Sequence, residues 1–108
     1  MPVYNKLIRD LIPNVIAKAG KQYATRILDD EEYITELRKK LQEELQEYLE
    51  ADNDEDSLEE LADITELIHA LARTHHATIE QLEEIRQRKA EKRGEFYDKI
   101  FLIEVEDD

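Results

Sequence analysis

Residues 41–72 read LQEELQEYLEADNDEDSLEELADITELIHALA, and the phase of the leucines and acids in this stretch decides the fold. It holds 12 acids (Glu43, Glu44, Glu47, Glu50, Asp52, Asp54, Glu55, Asp56, Glu59, Glu60, Asp63, Glu66) and no Lys or Arg. The whole chain has 28 acids and 15 bases, so the remainder is close to neutral and the net charge of -13 belongs almost entirely to this segment. Such charge is either a solvated surface or a site for something positive. The direction in which each acid points separates the two.

Working backwards from Leu41, the residues Ile34, Leu37, Leu41, Leu45 and Tyr48 recur at helical spacing. This predicts a long helix from Asp29 or Asp30, either of which can cap it, to about Ala51. DNDED (52–56) reads as a charged turn. Ser57 with Glu60 forms a capping box that opens a second helix running to about His75. Leu58, Leu61, Ile64, Leu67, Ile68, Leu71 and Ala72 cover so wide an arc of it that a chain of 108 residues struggles to bury them alone, which favours an oligomer. Thr78 and Gln81 form a further capping box for a third long helix to about Arg93, stopped by Gly94. Near the N-terminus, Pro13 suits a first helical turn and Gly20 its end, giving a short helix over about Ile12–Ala19. Residues 22–28, with Tyr23, Thr25 and Ile27 in alternation, and residues 99–105 (KIFLIEV), rich in β-branched and aromatic side chains, are the two strand candidates, able to pair with each other. The expected fold is therefore all-α: a single domain over 1–108, an antiparallel bundle of about four helices with a small two-stranded β element.

Composition narrows the function classes. With 41% hydrophobic and 40% charged residues, two Gly and two Pro, the chain is periodic enough to fold despite its charge. The absence of Cys excludes disulfides and thiolate zinc sites. No apolar run approaches the roughly 20 residues of a membrane span, and the start of the chain lacks the apolar core of a signal peptide, so a soluble cytoplasmic protein with no membrane partner is expected. The acidic balance argues against binding a nucleic acid polymer, whose phosphates it would repel.

Helical phase then singles out a few acids. Taking Leu41 as zero at 100° per residue, Glu44 falls at about -60°, inside the apolar sector, Glu47 at about -120° on its edge, and Glu43 nearly opposite. In the second helix, with Ile64 as zero, Glu60 lies at about -40° among leucines and Asp63 at about -100° on the edge. Both helices thus set one carboxylate into the core face and flank it with another three residues away. An unpaired buried carboxylate is expensive and needs a cation or a proton. Glu44, Glu47, Glu60 and Asp63 on adjacent antiparallel helices offer hard oxygen ligands for Mg²⁺, or Mn²⁺ in its place. On the third helix, Arg86, Lys89 and Arg93 continue the sector of Ile79, Leu82 and Ile85, and with Lys92 form a basic cluster directed inward, suited to phosphate oxygens. A carboxylate cage and a basic cluster together describe a site for a metal-bound polyphosphate. With no Gly-rich phosphate loop and no Cys nucleophile, hydrolysis would use metal-activated water.

These residues carry a family resemblance. EELQE (Glu43, Glu44, Glu47), a gap of 12 residues and ELAD (Glu60, Asp63) resemble the EExxE…ExxD signature of the all-α nucleoside triphosphate pyrophosphohydrolases, the MazG-like superfamily. The opening YNKLIRDLIP and closing KAEKRGEF look like its phosphoribosyl-ATP pyrophosphohydrolase-like branch, so the resemblance covers nearly the whole chain. It implies a Mg²⁺-dependent helical bundle that cleaves the α–β phosphate linkage of a nucleotide, assembled as a homodimer or homotetramer with sites near subunit interfaces. It implies Glu44, Glu47, Glu60 and Asp63 as metal ligands, and Lys6, Arg9, Lys89, Lys92 and Arg93 as phosphate or substrate contacts. Glu43, Glu44 and Glu47 are the candidates for catalytic work, with Glu43 among those for accepting a proton. One departure is Glu95, where relatives commonly carry a second Gly after the Arg-Gly pair; a carboxylate there would repel phosphate or narrow the substrate range. Two other functions remain beside a general nucleotide pyrophosphohydrolase. One is true phosphoribosyl-ATP hydrolysis in histidine biosynthesis, and the other is a non-catalytic acidic bundle that binds or regulates a partner.

Overall fold

A short helical segment leads into a long helical hairpin in the computed structural model, which describes residues 2–107. Helix α1 spans Ile12–Lys18, with Pro13 in its first turn. It ends as its glycine requires. Gly20 takes φ +75°, its N–H donates to the Ala17 carbonyl, and Lys21 N–H reaches back to Ile16, the double bond that closes a helix through a left-handed residue.

Helix α2 (Asp30–Glu50) is capped by Asp29, whose side chain accepts from Glu32 N–H at 2.8 Å. Helix α3 (Asp54–Thr74) begins earlier than the Ser57 box suggests. Asn53 is its cap, accepting from Asp56 N–H at 2.8 Å, and the Ser57 hydroxyl donates instead to the Asn53 carbonyl inside the first turn. The reason is electrostatic. Asp54, Glu55 and Asp56, taken from sequence as a turn, lie where the helix dipole favours negative charge. Only Ala51–Asn53 connects α2 to α3, so the two run antiparallel.

The core lies at the open end of this hairpin. Leu37 of α2 meets Leu67 and Ala70 of α3, and Leu7, Tyr33, Leu41 and Leu71 pack around them. Leu37 is only 2% exposed, and the short list of buried apolar residues is completed by Leu67, Ala70 and Ala72. Towards the connecting turn the hairpin is uncovered, with Leu45, Leu49, Leu58 and Leu61 exposed, and beside the core Ile68 is exposed as well.

Helix α4 (Ile79–Arg93) starts with the reciprocal Thr78–Gln81 capping box expected from sequence. It touches α3 lightly and α2 not at all. The chain therefore extends over 62 × 35 × 25 Å. Residues 22–28 and 99–105 are not strands, and among the described residues there is no sheet. Neither segment has a neighbour to form a ladder with, and Ile27, Ile100, Phe101, Leu102, Ile103 and Val105 stand exposed. Among the described residues no helix is long and apolar enough to cross a membrane.

Candidate metal and phosphate site

The hairpin brings the inward-phased acids together. Glu44 and Glu47 from α2 and Glu60 from α3 each present a carboxylate oxygen, all within 4.8 Å of one another. Two of these residues also carry a buried carboxylate oxygen with no hydrogen-bond partner, Glu44 Oε2 and Glu60 Oε2. Orphaned acceptors of this kind carry the full desolvation penalty unless a proton or a cation satisfies them. Among the described residues, the one ammonium within 4.0 Å of these three acids is Lys40 Nζ, at 4.0 Å from Glu44 Oε1.

Electrostatics records the strain. Burial pushes the Glu44 carboxyl up to about 7, with further upward pressure from its contacts with Glu60 and Glu47 and from the charge of Asp63. Glu60 is also raised. A hydrogen bond from a protonated Glu44 lowers it, but burial and the neighbouring Glu47 and Asp63 outweigh that bond. One proton shared across the pair is the metal-free answer to like charges held this close. A divalent cation is the other answer, and the hard oxygen donors and unsatisfied acceptors fit Mg²⁺ or Mn²⁺.

Asp63 is oriented differently from its three companions. Its Oδ1 accepts from Arg9 Nη2 at 2.7 Å, which ties the N-terminal segment to the edge of the acid group. Arg9 is thus at the site, as sequence suggests, but as the partner of an acid. Lys6 lies near it on the same segment, its ammonium 5.4 Å from the centre of the Tyr4 ring. Glu43 is exposed beside the group, and Glu47 is the most solvent-reachable of the three clustered acids.

The basic end of α4 does not point inward. Lys89, Lys92 and Arg93 are exposed, and Arg86 forms a bidentate pair with Glu83 on its own helix. Helix α4 does not pack against α2, and among the described residues none of Lys89, Lys92 and Arg93 pairs with a carboxylate. Sequence reading had missed two lysines instead. Lys39 and Lys40, with Tyr4, Asn5, Lys6, Leu7, Glu36 and Glu43, line a cleft of about 180 Å³ between the N-terminal segment and α2. Their signal was present as an i, i+4 offset from Glu43 and Glu44. No protein-family model, curated protein or solved structure matches the chain.

Proposed function

We propose that this protein is a Mg²⁺-dependent nucleotide pyrophosphohydrolase. It would cleave the α–β linkage of a nucleoside triphosphate or related nucleotide to the monophosphate and pyrophosphate. The observation that carries the reading is the convergence of Glu44, Glu47 and Glu60 with two buried, donorless carboxylate oxygens. Glu44 and Glu60 would hold the ion from the protected side, Glu47 from the solvent side, and Asp63 would join them by exchanging Arg9 for the metal. Bound there, Mg²⁺ would neutralise phosphate charge and lower the pKa of a coordinated water. Glu47 or Glu43, both open to solvent, would take a proton from the attacking water as its oxygen bonds to the α-phosphorus and the bridging oxygen leaves with pyrophosphate. A nucleotide substrate also agrees with a cytoplasmic location.

The same proposal includes a homo-oligomer. A folded monomer of 12.8 kDa should expose about 6,300 Å², yet this chain exposes 10,276 Å². The excess of about 4,000 Å² is on the scale of an obligate subunit interface. A second copy covering Leu45, Leu49, Leu58, Leu61 and Ile68 would supply the missing half of the core. It would also be the route by which Lys89, Lys92 and Arg93 reach substrate.

Pyrophosphate release across a panel of nucleotides with Mg²⁺, phosphoribosyl-ATP included, tests the activity and separates pool cleaning from histidine biosynthesis. Glu60→Gln should abolish metal-dependent release while leaving helical circular dichroism intact. Unchanged turnover in that variant would sink the assignment. A wild-type chain that turns over no nucleotide and gains no thermal stability from Mg²⁺ would instead be a binding or regulatory bundle.

A further inference from the structure

A carboxylate cage cannot hold a polyphosphate without cations to face the oxygens that the metal does not reach. Within one chain the supply is small. Arg9 is engaged by Asp63 at 2.7 Å, and the α4 cations are on a helix that does not touch α2. Of the cations left over, Lys6, Lys39 and Lys40 stand together on the walls of the cleft between residues 4–7 and α2. Lys6 and Lys39 have no carboxylate within salt-bridge distance among the described residues, and Lys40 has only the long 4.0 Å approach to Glu44.

Helical spacing joins this cleft to the acid group. Lys39 and Glu43, and Lys40 and Glu44, are i, i+4 pairs, so each pair is about one turn apart along α2 and shares a face, and the Lys40 ammonium comes within 4.0 Å of Glu44 Oε1. Glu43 belongs to the cleft wall as well. The opposite wall is set by the bend at Asn5, whose φ of +47° is the left-handed conformation that Asn adopts more readily than most residues. The lining combines three ammoniums with a carboxamide, one aromatic ring and two carboxylates, Glu36 and Glu43, so its charge is positive by one and the phosphates must face the lysine side of the cleft.

We propose that this cleft binds the terminal phosphates of the substrate, the part released as pyrophosphate, with Lys6, Lys39 and Lys40 as their cationic partners. The inference rests on the pyrophosphohydrolase reading and gives the site a direction: the α-phosphate at the acids, the leaving group towards the N-terminal segment. Lysine suits this task, because a point charge on a long stem can follow a leaving group outwards.

The experiment is calorimetric titration of the full-length protein with inorganic pyrophosphate at low ionic strength, in a chelator-containing buffer. Removing the divalent ion isolates the lysines from the acids and makes the readout independent of hydrolysis. Wild-type protein should bind, more weakly as salt is added. Lys39→Gln/Lys40→Gln should weaken binding at least tenfold and Lys6→Gln at least threefold, while Lys21→Gln, an exposed lysine outside the cleft, should leave it unchanged. Lys39 and Lys6 are exposed, so their single variants keep the fold. Absent wild-type binding, unaltered binding in the Lys39/Lys40 and Lys6 variants, or equal loss in Lys21→Gln would each overturn the proposal. Loss confined to Lys92→Gln would do so too, by placing the phosphates on α4. Nucleotide hydrolysis with unaltered pyrophosphate binding in the lysine variants removes the cleft alone; absent hydrolysis removes the reading on which it rests.

Discussion

Glu44 is the residue on which most of the chemistry turns. Its carboxyl is raised from an ordinary 4.5 to about 7, so between those values the folded chain binds more protons than the unfolded one. The sign follows directly: without metal, stability contributed by the protonated form is present at acid pH and is lost as pH rises through about 7. The melting temperature of metal-free protein should therefore fall between pH 5 and pH 7.5. Added Mg²⁺ should reverse that trend, because the ion needs the deprotonated form. Glu44→Gln should flatten the pH profile, raise the metal-free melting temperature near pH 7.5 and erase the Mg²⁺ effect. A Glu44→Gln protein that still gains stability from Mg²⁺ would put the ion elsewhere. The pair Glu44 and Glu60 was legible in sequence because helical phase alone sets a Glu among leucines. The Arg9–Asp63 pair was not, since its partners are 54 residues apart and neither leaves a local trace of the other.

At the level of elements, the caps give the sharpest tests. Asn53→Ala should destabilise by about 1 kcal/mol, lowering the melting temperature by several degrees, whereas Ser57→Ala should have a smaller effect. The reverse ranking would restore the later helix start that the Ser57–Glu60 spacing suggested. At the other end of α3, His76 occupies the left-handed position at φ +61°, with Ala77 N–H bonded back to the Ala72 carbonyl. Replacing it with Gly should stabilise by a few tenths to about 1 kcal/mol, read from denaturant midpoints. Helices were readable because a 3.6-residue period is written along one segment. The extended segments were misread as a paired element because alternation describes one strand's faces and says nothing of its neighbour. Asn53 was passed over because a run of acids looks unfavourable for a helix until it is placed at the helix's positive end.

For the whole molecule, the radius of gyration of 18.7 Å is far above the roughly 13 Å of a closed domain of this length. Leu37→Ala should cost about 2–5 kcal/mol through lost packing at the one well-buried cluster, enough to unfold so thin a core on its own. Light scattering should find a dimer or tetramer of the 12.8 kDa chain, and Leu58→Glu with Leu61→Glu should dissociate it. A monomer with an unchanged mass across these variants would mean the hairpin surface serves something other than self-association. Sequence foresaw the surplus of apolar surface on α3. It could not show that α4 would stand clear of α2, because the Thr78 cap fixes where α4 starts and leaves its direction open.

The ion pair between Arg9 and Asp63 has a practical consequence. Among the described residues, residues 2–8 make no backbone–backbone hydrogen bond, so this arm is fastened mainly by the Arg9 side chain and the packing of Leu7. If Asp63 exchanges Arg9 for a metal as proposed, amide hydrogen exchange in the arm should respond, giving a reporter that needs no label and no turnover. By the same coupling, an affinity tag fused ahead of Pro2 would weigh on the acid site itself. A tag after residue 108 is the sounder choice for preparing the protein.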